Sequence, residues 1–316
     1  MSTPSIPIFR PSDASLLIDQ VRREGTRGGV STGFATLDEL ITIKPGFPVY
    51  VAGSPYAGKS LFLKQLLINL SRHHGWRHCV YLGEDGNVAD LTLDLVEMYT
   101  GKTARLKHDD GTDNPLAMTE AEFISAVTWV DTHFWICNPD ALNIPSFDLA
   151  TFYEWAAACE RQHGVKFNTT VVDPWNDLEM DIMSKGGRED MMLADALKMV
   201  RDTSRINNRV DFVVTHIAAP STNYTSGNGR RYAAPAEPTS WAGGQSWHRR
   251  AFTMLMVYRP PSPDTIKMGR REITTHRGET WVMVQKAKPR GVGKLGTCRL
   301  WFDPTCHQYT ETQPES

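Results

Sequence analysis

Residues 53–60 read Gly53-Ser54-Pro55-Tyr56-Ala57-Gly58-Lys59-Ser60 and fit the pattern G-x-x-x-x-G-K-[ST] at all four fixed positions. The flanks fit as well. Pro48-Val49-Tyr50-Val51-Ala52 is a short β-rich run, as a strand entering such a loop requires. Leu61 to Leu70 follows without Gly or Pro, as a helix leaving it requires. A triphosphate concentrates negative charge. Inward-pointing backbone N–H groups at a helix N-terminus supply donors and a favourable dipole for it. The loop from Gly53 through Ser54, Pro55, Tyr56, Ala57, Gly58 and Lys59 to Ser60 and Leu61 is therefore the candidate ATP cradle. Gly53 and Gly58 allow the tight turns, Lys59 faces the β- and γ-phosphates, and the Ser60 hydroxyl ligates Mg²⁺.

Outward from this loop, apolar runs alternate with helical stretches. Strands are expected at 79–82, 133–137, 169–173 and 211–216, and helices at 88–100, 147–163 and 189–206. Apolar strands separated by helices indicate a parallel sheet covered on both faces. In the last helix, Met191, Met192, Ala194, Leu197, Val200 and Ile206 read as core. Asp211 is expected at the edge of its strand. Residues 217–248, rich in Gly, Ser, Pro, Asn and Arg, read as one long loop. Phe252–Tyr258, Thr280–Lys286 and Thr297–Phe302 read as closing strands. Before the loop, residues 1–29 form an arm, a short helix over 12–24 capped at Ser12-Asp13, and a linker. That helix places Leu16, Leu17, Ile18 and Val21 on one face, which must pack on the body or on a neighbouring subunit. The main domain spans 30–316.

The 316 residues are 41% hydrophobic with a formal charge of −2, so any nucleic-acid binding rests on local patches. Five scattered Cys form no C-x-x-C pair and read as reduced cysteines of a cytoplasmic protein. No signal peptide and no membrane span are expected. His73, His74 and His78 match no zinc spacing; the first two read as cations at a helix end before Gly75.

In an open parallel sheet ligands bind at the carboxyl ends of the strands. Asp173 ends the most apolar run and is the second candidate metal ligand with Ser60. Glu84 ends the strand after the loop's helix and is placed to take a proton from the attacking water; Asp85 is the neighbouring alternative. His216 ends the next strand, as a γ-phosphate contact or as a structural histidine. Gln285 to Lys294 is a basic turn. Lys286, Lys288 and Arg290 are read either as a solvated hairpin or as a positive finger reaching a neighbour's ATP site.

Together these motifs resemble the ATPase core of hexameric replicative helicases of the DnaB and Twinkle type over about residues 30–310. The resemblance is carried by Thr32-Gly33-Phe34-Ala35-Thr36-Leu37-Asp38, the 53–60 loop, Leu82-Gly83-Glu84-Asp85, Val171-Val172-Asp173-Pro174-Trp175-Asn176 and Val214-Thr215-His216. Trp241 to Trp247, Val257-Tyr258-Arg259, and Lys286 to Gly291 followed by Phe302-Asp303 continue it. It implies an α/β fold: a RecA-like P-loop NTPase core with a mostly parallel central sheet flanked by helices and closing β-hairpins at the C-terminus. It implies ATP and Mg²⁺ as cofactors, Glu84 as catalytic base, Arg259 at the nucleotide, and a trans finger. It also implies a hexameric ring on single-stranded DNA, with RNA also possible, and a primase or loader as partner. The family's Lys-x-Arg finger reads Lys286-Ala287-Lys288 here, with Arg290 two residues on. No primase or loading domain is seen ahead of the core, which implies a reduced helicase or a relative put to another use. A RecA- or KaiC-like ATPase that does not unwind is the alternative. Loops around Ser184-Lys185-Gly186-Gly187-Arg188 and Tyr224 to Arg231 would line the channel.

Overall fold

Val49–Gly53 is buried on every residue, and its side chains alternate between two cores. Val49 and Val51 enter one cluster, Tyr50 and Ala52 the other, as the two-residue period of a strand demands. This strand divides the protein into two layers, one on each face of the sheet. The computed structural model describes residues 8–25, 28–84, 86–108, 110–180, 187–218, 223–268, 271–305 and 307–313.

In chain order, α1 (Ser15–Glu24) and α2 (Ala35–Asp38) precede β1 (Val49–Gly53). Then come α3 (Lys59–His74), β2 (His78–Leu82), α4 (Val88–Thr100), α5 (Glu120–His133), β3 (Phe134–Ile136) and α6 (Leu149–His163). They are followed by β4 (Thr169–Asp173), α7 (Glu189–Asn207), β5 (Val210–His216), β6 (Asn223–Thr225), β7 (Arg231–Ala233) and α8 (Gln245–Arg250). The chain closes with β8 (Thr253–Tyr258), β9 (Asp264–Met268), β10 (Arg271–Thr275), β11 (Glu279–Lys286), β12 (Gly296–Asp303) and β13 (Gln308–Thr310). Among the described residues, the main sheet has the order β13-β12-β11-β8-β1-β5-β4-β2-β3. From β8 to β3 its neighbours are parallel. β11, β12 and β13 are antiparallel additions.

The expected strands and helices of the parallel core are present to within one or two residues. α3 buries Phe62, Leu63, Leu66, Leu67 and Leu70 against the sheet and stops at Gly75, whose left-handed backbone returns an N–H to the Ser71 carbonyl. Several expectations need correction. The N-terminal helix starts at Ser15, after a 3₁₀ turn in which Asp13 accepts the Arg10 N–H at 2.8 Å; Ser12-Asp13 does not cap it. On α7, Met191 and Ile206 are exposed while Leu193 is buried, because the core face runs through Met192, Leu197 and Val200. Asp211 stands second in β5, near the strand start as expected, yet is fully buried, accepting from Arg209 Nε at 2.9 Å and Ser204 Oγ at 2.6 Å. Residues 217–248 are not one loop: they hold the β6–β7 hairpin, a 3₁₀ turn at Pro238–Ser240, and α8. Trp241 and Trp247 anchor this segment in the second core. Helix α5 is new. Its start carries a capping box, with Thr119 Oγ1 accepting from the Glu122 N–H and the Glu122 carboxylate accepting from the Thr119 N–H.

His78 is enclosed on β2, between Ser71 Oγ at 2.8 Å and Thr169 Oγ1 at 2.6 Å. Burial pushes its proton affinity down to about 3, so it is a neutral core residue. Among the described residues no helix is long and apolar enough to cross a membrane.

Candidate active site

The parallel register decides what meets at the loop. Gly53 pairs with His216 across β1 and β5, and Leu82 with Asp173 across β2 and β4. Loop, acids and histidine thus emerge at the same end of the sheet. Pro55, Tyr56, Gly58, Lys59, Ser60, Leu61, Glu84 and His216 line one cavity of about 550 Å³. Glu84 is 63% exposed, and its Oε1 lies 3.9 Å from His216 Nε2.

The loop is built as its glycines require, though differently at each. Gly58 has φ +86°, where a side chain is strained. Gly53 is the last residue of β1, and its need is proximity: a Cβ there would lie 2.5 Å from the Val257 carbonyl. The turn expected at Gly53 is thus a close strand–strand approach. Tyr56 holds a left-handed φ of +61° at the exposed tip. Lys59 is buried, and its Nζ donates to the Ser54 carbonyl at 3.2 Å.

Charges at the site are coupled. Burial lowers the proton affinity of Lys59, while Asp173 and then Glu84 act against that. Burial also lowers His216, helped by the Lys59 charge and opposed by Glu84 and Asp177. Its Nδ1 is buried without a hydrogen-bond partner among the described residues. Asp173 is buried at the end of β4, and its carbonyl accepts the Gly83 N–H at 2.8 Å. With the half-buried Ser60 hydroxyl it offers hard oxygen ligands of the kind Mg²⁺ prefers.

Two residues of the site carried no sequence signal. Asp177 sits in the 3₁₀ turn Trp175–Asp177 after β4. Tyr309, on β13, places its hydroxyl 3.4 Å from the Gly58 carbonyl, and a Cβ on Gly58 would come 2.6 Å from that hydroxyl. Arg259 approaches the same point, its nearest guanidinium nitrogen 3.3 Å from that Cβ position, and lies over the Phe302 ring at 5.9 Å.

The basic turn is elsewhere. Lys286 pairs with Met254 at the start of β8, whereas the P-loop abuts Val257. That is roughly 10 Å along the strand. Lys286 Nζ donates to the His248 carbonyl. The turn packs on residues 40–43 of its own chain, through Thr42 N to the Val292 carbonyl at 2.9 Å and Lys294 N to the Leu40 carbonyl at 2.8 Å. Lys286, Lys288 and Arg290 are therefore not brought to their own chain's loop.

Asp85, Ser184, Lys185 and Gly186 lie outside the described residues. Arg188 pairs with Asp190 at 2.8 Å at the start of α7. The β6–β7 tip is docked on β9, with Gly227 N donating to the Thr265 carbonyl at 3.0 Å and Asn228 N to Asp264 Oδ1 at 3.2 Å. Arg230 and Arg231 remain exposed.

No family model matches the chain. It is 23% identical over 292 residues to the chloroplastic/mitochondrial Twinkle homolog protein of Arabidopsis thaliana, covering 92% of this chain and 38% of that protein. The chain thus spans well under half the length of the curated relative it matches. A solved DnaB-like replicative helicase, described with its interactions with primase, superposes with a TM-score of 0.70 at 15% identity, over 98% of this chain and 67% of that one. A second solved structure, of an ATPase domain, superposes with a TM-score of 0.70 at 13% identity, over 95% of this chain and 98% of that one. The fold is the RecA-like α/β fold of DnaB-type helicase ATPase domains.

Proposed function

We propose that this chain is an ATP-dependent, ring-forming translocase on single-stranded nucleic acid, specifically a DNA helicase of the DnaB and Twinkle type. The observation that carries this reading is the convergence of Lys59, Glu84 and His216 on one cavity at the P-loop of a RecA-like fold. ATP phosphates would lie along the loop's N–H groups, with the Lys59 ammonium against the β- and γ-phosphates. Ser60 and Asp173 would hold Mg²⁺, which when bound offsets the charge developing on the phosphates. Glu84 accepts the proton of the attacking water. His216, neutral because burial lowers it, offers a ring nitrogen towards the γ-phosphate. Arg259, exposed beside Gly58 and over Phe302, meets the remainder of the nucleotide.

The ring supplies what the single chain lacks. The apolar face of α1, with Leu16 at 88% and Leu17 at 61% exposure, docks on a neighbour. Lys286, Lys288 and Arg290 serve the neighbour's ATP site rather than their own. The loops at 184–188 and 224–231 face single-stranded DNA, or RNA in place of it, and a primase or loader joins the assembly. The free Cys79, Cys137, Cys159 and Cys298 fit a reducing, cytosolic compartment; the Arabidopsis relative is chloroplastic/mitochondrial.

The test measures ATPase rate with and without single-stranded DNA, strand displacement from a forked duplex, and particle shape by electron microscopy. Stimulated turnover, displacement and closed rings are expected. Turnover with filaments, or with rings that displace no strand, returns the RecA- or KaiC-like alternative. No turnover under any condition sinks both.

A further inference from the structure

The geometry points to Asp177 as a positioning residue for Glu84, its negative charge holding the Glu84 carboxylate turned into the phosphate cavity towards Lys59. The inference rests on the ATPase reading above. Glu84 needs such help. It is 63% exposed and lies 3.9 Å from His216, and among the described residues no hydrogen bond holds its carboxylate. Asp177, exposed on the turn after β4, lies beside Gly83 and is not among the residues lining the cavity.

The fold sets the place of Asp177 firmly. Its turn is pinned by the buried Trp175 and Leu178 and by Thr215 Oγ1 donating to Asn176 Oδ1 at 3.3 Å. The turn closes through Asp177 N to the Pro174 carbonyl at 3.3 Å. Room for the carboxylate comes from Gly83, the residue before Glu84: a Cβ at position 83 would lie 2.4 Å from Asp177 Oδ2. Among the described residues, Asp177 has no hydrogen bond or ion pair through its carboxylate, while the Tyr81 hydroxyl shares the space beside Gly83. Its charge is felt at the site. Burial and then Glu84 raise its proton affinity, and His216 lowers it. Two like charges with Gly83 between them repel, and the low-energy direction for the mobile one is towards the Lys59 cation.

The experiment measures MgATP turnover by the full chain carrying Asp177→Asn, Asp177→Lys or Asp177→Glu, each also in a Glu84→Gln background. Asp177→Asn should lower kcat about 3- to 10-fold with KM for ATP and Tm unchanged, a coupling of ordinary size for neighbouring groups. Asp177→Lys should lower it further by drawing Glu84 out of the cavity, and Asp177→Glu should keep most of the activity. Raising the salt concentration should narrow the gap between wild type and Asp177→Asn, because the effect is electrostatic. In the Glu84→Gln background the Asp177 substitutions should cost nothing more. Equal kcat for wild type and Asp177→Asn overturns the proposal. So does a loss shared by kcat, ATP binding and Tm, or an equal loss in the Glu84→Gln background. A wild-type chain that turns over no ATP overturns the proposal together with the ATPase reading beneath it.

Discussion

Lys59 is turned back on the loop that carries it, its Nζ donating to the Ser54 carbonyl at 3.2 Å. On the proposed ATPase reading, that carbonyl stands where a phosphate oxygen would bind. Burial makes that ammonium costly, and the fields of Asp173 and Glu84 offset part of the cost. Triphosphate should displace Ser54 and supply the missing charge. Lys59→Ala is expected to reduce ATP turnover by about 100-fold or more, the scale seen when a main transition-state donor is removed. Steady-state phosphate release checks it.

Glu84→Gln keeps the size and polarity of the side chain but removes the proposed base. ATP affinity should stay close to wild type while turnover falls about 100-fold or more. Nucleotide binding by fluorescence and single-turnover hydrolysis separate the two. Wild-type turnover in Glu84→Gln would move the base to Asp85 or another acid.

His78 links the fold to pH. Folded, it resists protonation down to about pH 3; unfolded, it protonates near its ordinary 6.5. Between those values the unfolded chain binds the extra proton, so the stability contribution is present above pH 6.5 and is lost as pH falls towards 3. Denaturant midpoints at about pH 7 and 5.5 should drop more for wild type than for His78→Gln, which has no imidazole to protonate. Equal drops would remove His78 as the cause.

Arg209 and Asp211 form a buried pair, 2% and 1% exposed, at 2.9 Å. Arg209→Met leaves the carboxylate buried without its cation and should destabilise by about 3–5 kcal/mol. Adding Asp211→Leu should recover part of that loss, since no buried charge remains. Urea midpoints of the two variants decide it; a double variant weaker than the single one would contradict the charge argument.

The basic turn lies away from its own chain's P-loop, so any catalytic role is between subunits. Arg290→Ala chains should bind ATP yet hydrolyse it poorly, and mixing them with Lys59→Ala chains should restore part of the activity. Each mixed ring then has interfaces where an intact P-loop faces an intact finger. No recovery in rings shown to be mixed would leave the turn as a solvated hairpin. Repeating the mixture with Lys286→Ala and Lys288→Ala identifies the cation involved.

Most of the parallel core was legible because its signals are local. The 53–60 pattern, the apolar runs ending in Asp173 and His216, and the Gly75 stop each depend on neighbours within a few residues. Helix α5 was legible too, through Thr119-x-x-Glu122, and was missed only because its apolar periodicity is weak. The short strands β6, β7, β9 and β10 were not: their pairing partners, such as Thr225 with Arg231, leave no periodic run long enough to read.

By itself the sequence determined the P-loop pattern between a strand and a helix, the layered parallel sheet and the identity of Glu84, Asp173 and His216 as strand-end groups. Only the tertiary structure decided that Asp177 comes beside Gly83 and Tyr309 beside Gly58, and that the Lys286–Arg290 turn does not reach the P-loop in the same chain. Strand order is the reason. β13 closes the sheet through β12, β11 and β8, and so brings Tyr309 back to Gly58 across 251 residues of chain. β11 runs antiparallel to β8, which carries Lys286 away from the P-loop end. Neither pairing is local, and contacts made across sheet neighbours depend on burying the whole core at once, not on any stretch of residues that precedes or follows them.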